Sequence, residues 1–223
     1  MRSPQSKDAP LSATETIYMR QFMRFFFRLL YHPLAFTYDL VAWVVSFGKW
    51  KDWVLSISPR LEGTRILELG HGPGHLQRFL RDRGLSPAAI DESTQMGRLA
   101  RRRLGAAHKL ARGLAQHLPY ASASFDTVVA TFPSEYIFDA RTLLEVRRVL
   151  SNSGRLIVLP AAFPSNGFLK WLYKVTGESP AHLDEVMKER MKRPFVLAGF
   201  AVEVEVVELK SSRLVILVAR NVV

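Results

Sequence analysis

The 223-residue sequence contains no cysteine. That absence excludes a disulfide framework, thiolate zinc sites, iron–sulfur clusters and a cysteine nucleophile. It fits a reducing compartment, and a cytoplasmic location is expected. Acids are scarce beside bases: 20 Asp+Glu stand against 31 Lys+Arg, for a formal charge of +11. The imbalance falls early, with 9 acids and 18 bases through Arg112 and 11 and 13 afterwards. A basic first half suits an anionic partner, either lipid or nucleic acid, or an arginine-rich enzyme surface in water. An unbroken apolar run is missing too. Leu29–Gly48 has Asp39 as its only formal charge, but Pro33 and Asp39 divide it, which disfavours a membrane-spanning helix. Residues 1–16 are polar, lack the apolar centre of a signal peptide and are expected to form a flexible tail.

Hydrophobic residues make up 48% and aromatics 11%, enough for a sizeable core in one α/β domain with a modest extension. The extension, 17–58, is aromatic and basic. Arg20, Arg24 and Arg28 recur every four residues and form one stripe on a helix, with Phe22, Phe25, Phe26, Leu29 and Leu30 around the other faces. Two helices are expected here. They lie at a membrane interface, cap a lipophilic pocket, or dock on the core with their arginines in water.

After Pro59 short β-like and helical segments alternate. Strands are expected at Arg65–Gly70, Ala88–Asp91, Ala107–Arg112, Ser124–Ala130 and Gly154–Leu159. Helices are expected at Leu76–Arg83, Thr94–Leu104, Ala140–Leu150 and His182–Met191. Phe200–Leu209 and Arg213–Arg220 alternate as an antiparallel hairpin around Lys210, Ser211 and Ser212. Strands interleaved with helices predict a parallel sheet between helical layers, with an antiparallel ending.

Between the first such strand and helix lies Glu68-Leu69-Gly70-His71-Gly72-Pro73-Gly74. A glycine loop there lets the backbone approach a ligand closely. The dinucleotide fingerprint G-x-G-x-x-G would need glycine where His75 stands; the spacing is G-x-G-x-G instead. Asp91 ends the next strand, 21 residues after Gly70, where a carboxylate accepts the hydroxyls of a ribose. His71 and His75 bracket a Pro-Gly turn and form no helical metal pair, so no metal is expected.

From about Pro59 to the end the sequence resembles the class I S-adenosylmethionine-dependent methyltransferases. The blocks that carry the resemblance are ILELGHGPG, AIDESTQMGRLARRRL, LPYASASFDTVVATF and LLEVRRVLSNSGRLIVL, in that order. It implies a Rossmann-like three-layer sandwich with a mostly parallel seven-stranded sheet, an antiparallel C-terminal hairpin and added N-terminal helices, over 59–223. It also implies S-adenosyl-L-methionine as cofactor and S-adenosyl-L-homocysteine as product. Cofactor contacts would fall to Glu68, Gly70, His71, Gly72, Gly74, Asp91, Glu92, Met96, Gly113, Leu114, Ala115 and Thr131. The family often has an acid where this chain has Leu114; backbone groups of Gly113 and Leu114, or the Gln116 amide, would serve the adenine edge instead.

Methyl transfer from a sulfonium needs mostly alignment and desolvation, and a base only where the acceptor must first lose a proton. Candidate proton acceptors are Tyr136, Glu135 and His75, with His182 on a helical lid at about 163–195. Thr131-Phe132-Pro133-Ser134-Glu135-Tyr136 lacks the Asn/Asp-Pro-Pro-aromatic signature of nucleic-acid amino-methyltransferases. Tyr38-Asp39-Leu40 and Phe47-Gly48-Lys49-Trp50 are similar to the start of the ubiquinone/menaquinone-biosynthesis C-methyltransferases. A small lipophilic acceptor, quinol or lipid-like, is therefore expected, with peripheral membrane contact through 17–53. Two alternatives remain: an RNA or other anionic substrate, motivated by Arg101, Arg102 and Arg103, and a catalytically weak membrane-surface module. The acceptor atom and the oligomeric state stay open.

Overall fold

Short runs rich in β-branched and aliphatic residues become the rungs of one sheet. The computed structural model describes residues 48–105, 108–164 and 185–221. The strands are β1 (Ile66–Leu69), β2 (Ala88–Asp91), β3 (Lys109–Arg112), β4 (Phe125–Thr131), β5 (Leu150–Pro164), β6 (Phe200–Leu209) and β7 (Ser212–Asn221). The helices are α1 (Trp50–Leu55), α2 (His75–Arg81), α3 (Thr94–Leu104), α4 (Ala140–Val149) and α5 (Glu185–Leu197), with 3-10 turns at Ser58–Arg60 and Glu135–Phe138. The seven strands lie in the order β3-β2-β1-β4-β5-β7-β6. β1 to β5 pair in parallel, while β7 is antiparallel to both β5 and β6. The α/β class, the seven-stranded sheet and the closing hairpin agree with the sequence expectation.

Alternation along the strands sorts the core into two layers. Leu67, Leu69, Val128, Ala130, Leu156, Val158, Val215 and Leu217 share one buried cluster with Leu143 and Val146 of α4 and Phe195 of α5. Ile66, Val129, Ile157, Leu159, Leu214 and Ile216 share the other with Trp53 and Val54 of α1 and Leu76 and Leu80 of α2. Helices thus cover both faces. α3 starts at an N-cap, Ser93, whose Oγ accepts from the Met96 N–H, and stops at Gly105 in the left-handed region.

Most elements keep their expected bounds to within two residues, and two depart further. β5 begins at Leu150, not Gly154, because Leu150 pairs with Phe125 before a register shift carries Arg155 opposite Thr127. α5 runs through Pro194, where sequence alone predicts a stop at Met191. The buried ring of Phe195, edge-on to Phe138 with centroids 5.9 Å apart, lies just past that proline and rewards the extra turn. Among the described residues no helix is long and apolar enough to cross a membrane. The tail 1–16, the leader up to residue 47 and lid residues 165–184, including His182, lie outside the described residues.

Candidate active site

In a sheet ordered 3-2-1-4-5, the strand order reverses between β1 and β4, and the crevice at their carboxyl ends is where such folds seat ligands. The glycine loop follows β1 directly into that crevice. Gly70 and Gly72 both sit at positive φ, 66° and 51°, which L side chains rarely adopt. A Cβ on Gly70 would stand 2.7 Å from the Tyr136 hydroxyl oxygen, so only hydrogen fits there. A Cβ on Gly72 would meet nothing within 4 Å; the loop opens onto space at that point. Gly74 is the N-cap of α2.

Asp91 holds this loop from the neighbouring strand. Its Oδ2 accepts the Gly72 N–H at 2.9 Å and its Oδ1 the Ser93 N–H at 2.8 Å. Each oxygen keeps a lone pair for a ligand hydroxyl. Under the loop, Glu68 is 2% exposed and accepts from Gln77 Nε2 at 2.8 Å. Burial pushes its carboxyl up to about 8, the Asp91 charge adds to the rise, and the Gln77 hydrogen bond opposes it. Glu68 is therefore a protonated acid at neutral pH. His71 is buried with its Nδ1 2.6 Å from the Gly72 carbonyl; burial lowers its basicity and the Asp91 charge works the other way.

On the β3 side, the Gly113 N–H donates to the Asp91 carbonyl, and a Cβ on Gly113 would stand 2.9 Å from Ile90 Cδ1. Leu114 is 49% exposed, Ala115 is buried, and Met96 lies buried beneath. Glu92 is exposed, with its carbonyl accepting from Arg112 Nε. The Gln116 amide donates to Asp139 Oδ2 at 3.4 Å, across the gap to the start of α4. Thr131 is the last residue of β4, half-buried at the crevice.

The proton-acceptor candidates are placed unequally. Tyr136 donates its hydroxyl to the Leu69 carbonyl at 3.2 Å and covers the start of the glycine loop. Glu135, beside it, is exposed. His75 lies 3.3 Å (Nε2) from Arg103 Nη1, a guanidinium that also donates to the Pro73 carbonyl. Arg103 thus turns toward the loop, whereas Arg101 and Arg102 are exposed. Gln77, Phe132 and Trp50 were not candidates from sequence. Phe132, directly after β4, stacks on Trp50 of α1 with centroids 4.3 Å apart at 27°. Nothing in the one-dimensional pattern links two residues so far apart in the chain. Among the described residues no group of three or more His, Asp or Glu is placed to hold a metal ion.

A family profile described as a methyltransferase domain matches residues 67–158, the stretch that builds this crevice. The demethylmenaquinone methyltransferase of Thermus thermophilus is 31% identical over 155 residues, covering 66% of this chain and 70% of that protein. The chain belongs to the S-adenosylmethionine-dependent methyltransferases. A second demethylmenaquinone methyltransferase, from Thermotoga maritima, is 32% identical over 61% of this chain, which spans 62% of that relative's length. The ubiquinone/menaquinone biosynthesis C-methyltransferase of Haemophilus ducreyi is 31% identical, with 65% and 60% covered. Among solved structures, a phosphoethanolamine N-methyltransferase of Haemonchus contortus, in complex with S-adenosylhomocysteine, shares the fold (TM-score 0.59, 17% identity, 82% of this chain and 57% of that one). The [4+2]-cyclase SpnF shares it too, at TM-score 0.54 and 20% identity, covering 78% and 80%. The fold alone does not fix the reaction.

The methyltransferase crevice fits the family's cofactor, S-adenosylmethionine, on three structural grounds. Open space faces Gly72, Asp91 has acceptor capacity beside it, and the loop is pinned to β2 at both Gly70 and Gly72.

Proposed function

We propose that this methyltransferase transfers a methyl group to a small lipophilic acceptor of the quinol type. The observation that carries the transfer itself is the left-handed glycine loop tethered to Asp91 through Gly72. The acceptor class is supported by the curated relatives, named as demethylmenaquinone and ubiquinone/menaquinone C-methyltransferases, and by the aromatic leader in the sequence. The same leader supports peripheral contact with a membrane, where such acceptors reside.

When bound, S-adenosylmethionine supplies an electrophilic methyl group on a sulfonium. The chain's own residues do the rest. Glu68, Gly70, His71, Gly72 and Gly74 shape the cradle for the methionine part, and Asp91 takes the ribose. Gly113, Leu114, Ala115 and Met96 line the adenine side, with Glu92 and Thr131 at the margins. Tyr136 stands over the loop and is the best placed of the three candidates to receive or relay the acceptor's proton. Glu135 follows by proximity, and His75, engaged with Arg103, is the least favoured. Alignment of the acceptor and exclusion of water supply most of the acceleration.

Calorimetry tests the core of this reading. Gly72→Val fills the open space and puts a β-branched residue at φ 51°; Asp91→Ala removes two charge-assisted hydrogen bonds. Each is expected to weaken S-adenosylmethionine binding by roughly tenfold to a hundredfold, as bonds to charged groups do. Wild-type affinity in both variants overturns the assignment. Methylation of a short-chain demethylmenaquinol, followed by mass spectrometry, tests the acceptor.

A further inference from the structure

We propose that Phe132, backed by Trp50, is the specificity-determining wall of the acceptor site and selects a planar aromatic ring. The proposal rests on the quinol-type reading above and deepens it.

Phe132 occupies φ +49°, the left-handed region in which a bulky residue is strained. Glycine would sit there without strain, so the contacts of the ring offset the backbone cost. Strain of this kind persists only where the surroundings over-determine it, and two contacts do so here. The Phe132 N–H donates to the Leu159 carbonyl at 2.7 Å, clamping the residue onto β5. Its ring stacks on Trp50 and lies 6.1 Å from the Trp53 ring at a 50° tilt.

Position makes the wall functional. Phe132 is the first residue beyond β4, on the carboxyl edge where strand order reverses, and Tyr136, four residues later, reaches the glycine loop. Trp53 is buried to 3% exposure, whereas Phe132, packed on the same cluster, stays half-buried. The Trp53 indole N–H, inside this cluster, has no acceptor among the described residues. Buried indole donors normally find a partner, so this one is an unmet donor behind the wall.

The geometry also selects among ligands. A cage for an ammonium headgroup surrounds the cation with ring faces. Here Phe132 and Trp50 are nearly parallel, forming one flat stack to which a further ring adds by offset stacking. A hydroquinone ring carries both the flat face and the oxygens that such a site accepts.

Steady-state kinetics on the full chain, with a short-chain naphthohydroquinone as the acceptor, tests the proposal. Phe132→Leu, which keeps apolar volume and loses the ring, is expected to raise KM for the hydroquinone roughly tenfold, with a smaller change in kcat. Cofactor affinity by calorimetry is expected to stay within about twofold of wild type, and Phe132→Tyr to restore the wild-type KM. Phe132→Gly, which removes the side chain and relieves the backbone, is expected to show the same rise in KM. A wild-type enzyme that methylates the hydroquinone while Phe132→Leu and Phe132→Gly keep its KM overturns the wall alone. Equal losses of acceptor and cofactor affinity overturn it as well, because Phe132 would then shape the cradle. Wild-type methylation of phosphoethanolamine and of no hydroquinone overturns the quinol-type reading itself.

Discussion

At Glu68 a side chain works against its own ionisation. In the unfolded chain a glutamate loses its proton near pH 4.5; under the loop Glu68 keeps it to about 8. Between those values the folded state binds more protons than the unfolded state, so stability falls as pH rises through the window. The slope reaches at most about 1.4 kcal/mol per pH unit for one group. Glu68→Gln preserves a hydrogen bond with Gln77 and has no proton to lose. Urea unfolding of the cofactor-free protein at pH 5, 6.5 and 8 should therefore show a shallower decline for Glu68→Gln than for wild type. Parallel declines would contradict a protonated Glu68. Nothing in the sequence marks this behaviour: ELG reads as a cofactor acid, and the burial that titrates it comes from α2 closing over β1.

Elements show the same division between what a local pattern contains and what packing adds. β2, α3 and β6 have the same bounds in sequence and structure; Ser93 and Gly105 mark the ends of α3, and the Val/Glu alternation within 200–209 marks β6. The glycine loop and Asp91 were equally legible, since spacing and strand order carry their meaning. The start of β5 at Leu150 was not, because a Ser-Asn-Ser-Gly string reads as a turn and only the pairing of Leu150 with Phe125 extends the strand across it. Nor was α5 beyond Pro194, whose continuation depends on Phe195 reaching Phe138 in another segment. That single ring is the main staple of the helix's end. Phe195→Ala is expected to cost about 3–5 kcal/mol, the usual loss for a fully buried phenylalanine, with cofactor binding retained. Denaturant titration gives the first value and calorimetry the second; a loss under about 1 kcal/mol would show that the helix is held elsewhere.

Over the whole molecule, the excess of +11 and the arginine-striped leader of the sequence are expected to act together. Deleting residues 1–32 is expected to leave S-adenosylmethionine affinity unchanged and to lower turnover of a vesicle-embedded acceptor several-fold, with less effect on a water-soluble analogue. Sedimentation with anionic vesicles should lose its salt-sensitive component in the same variant. Equal turnover on both acceptors would assign the leader to packing instead. The order β5-β7-β6 carries a further consequence, for biosynthesis. β7 is the last strand in the sequence yet pairs on both sides, so β6 has no direct neighbour in β5 to join when it emerges. From Pro164 to Ser212 the ribosome adds 48 residues, taking roughly 2–10 s at common elongation rates. For those seconds the nascent protein presents the ladder edge of a fifteen-residue strand, β5, to whatever else is in reach.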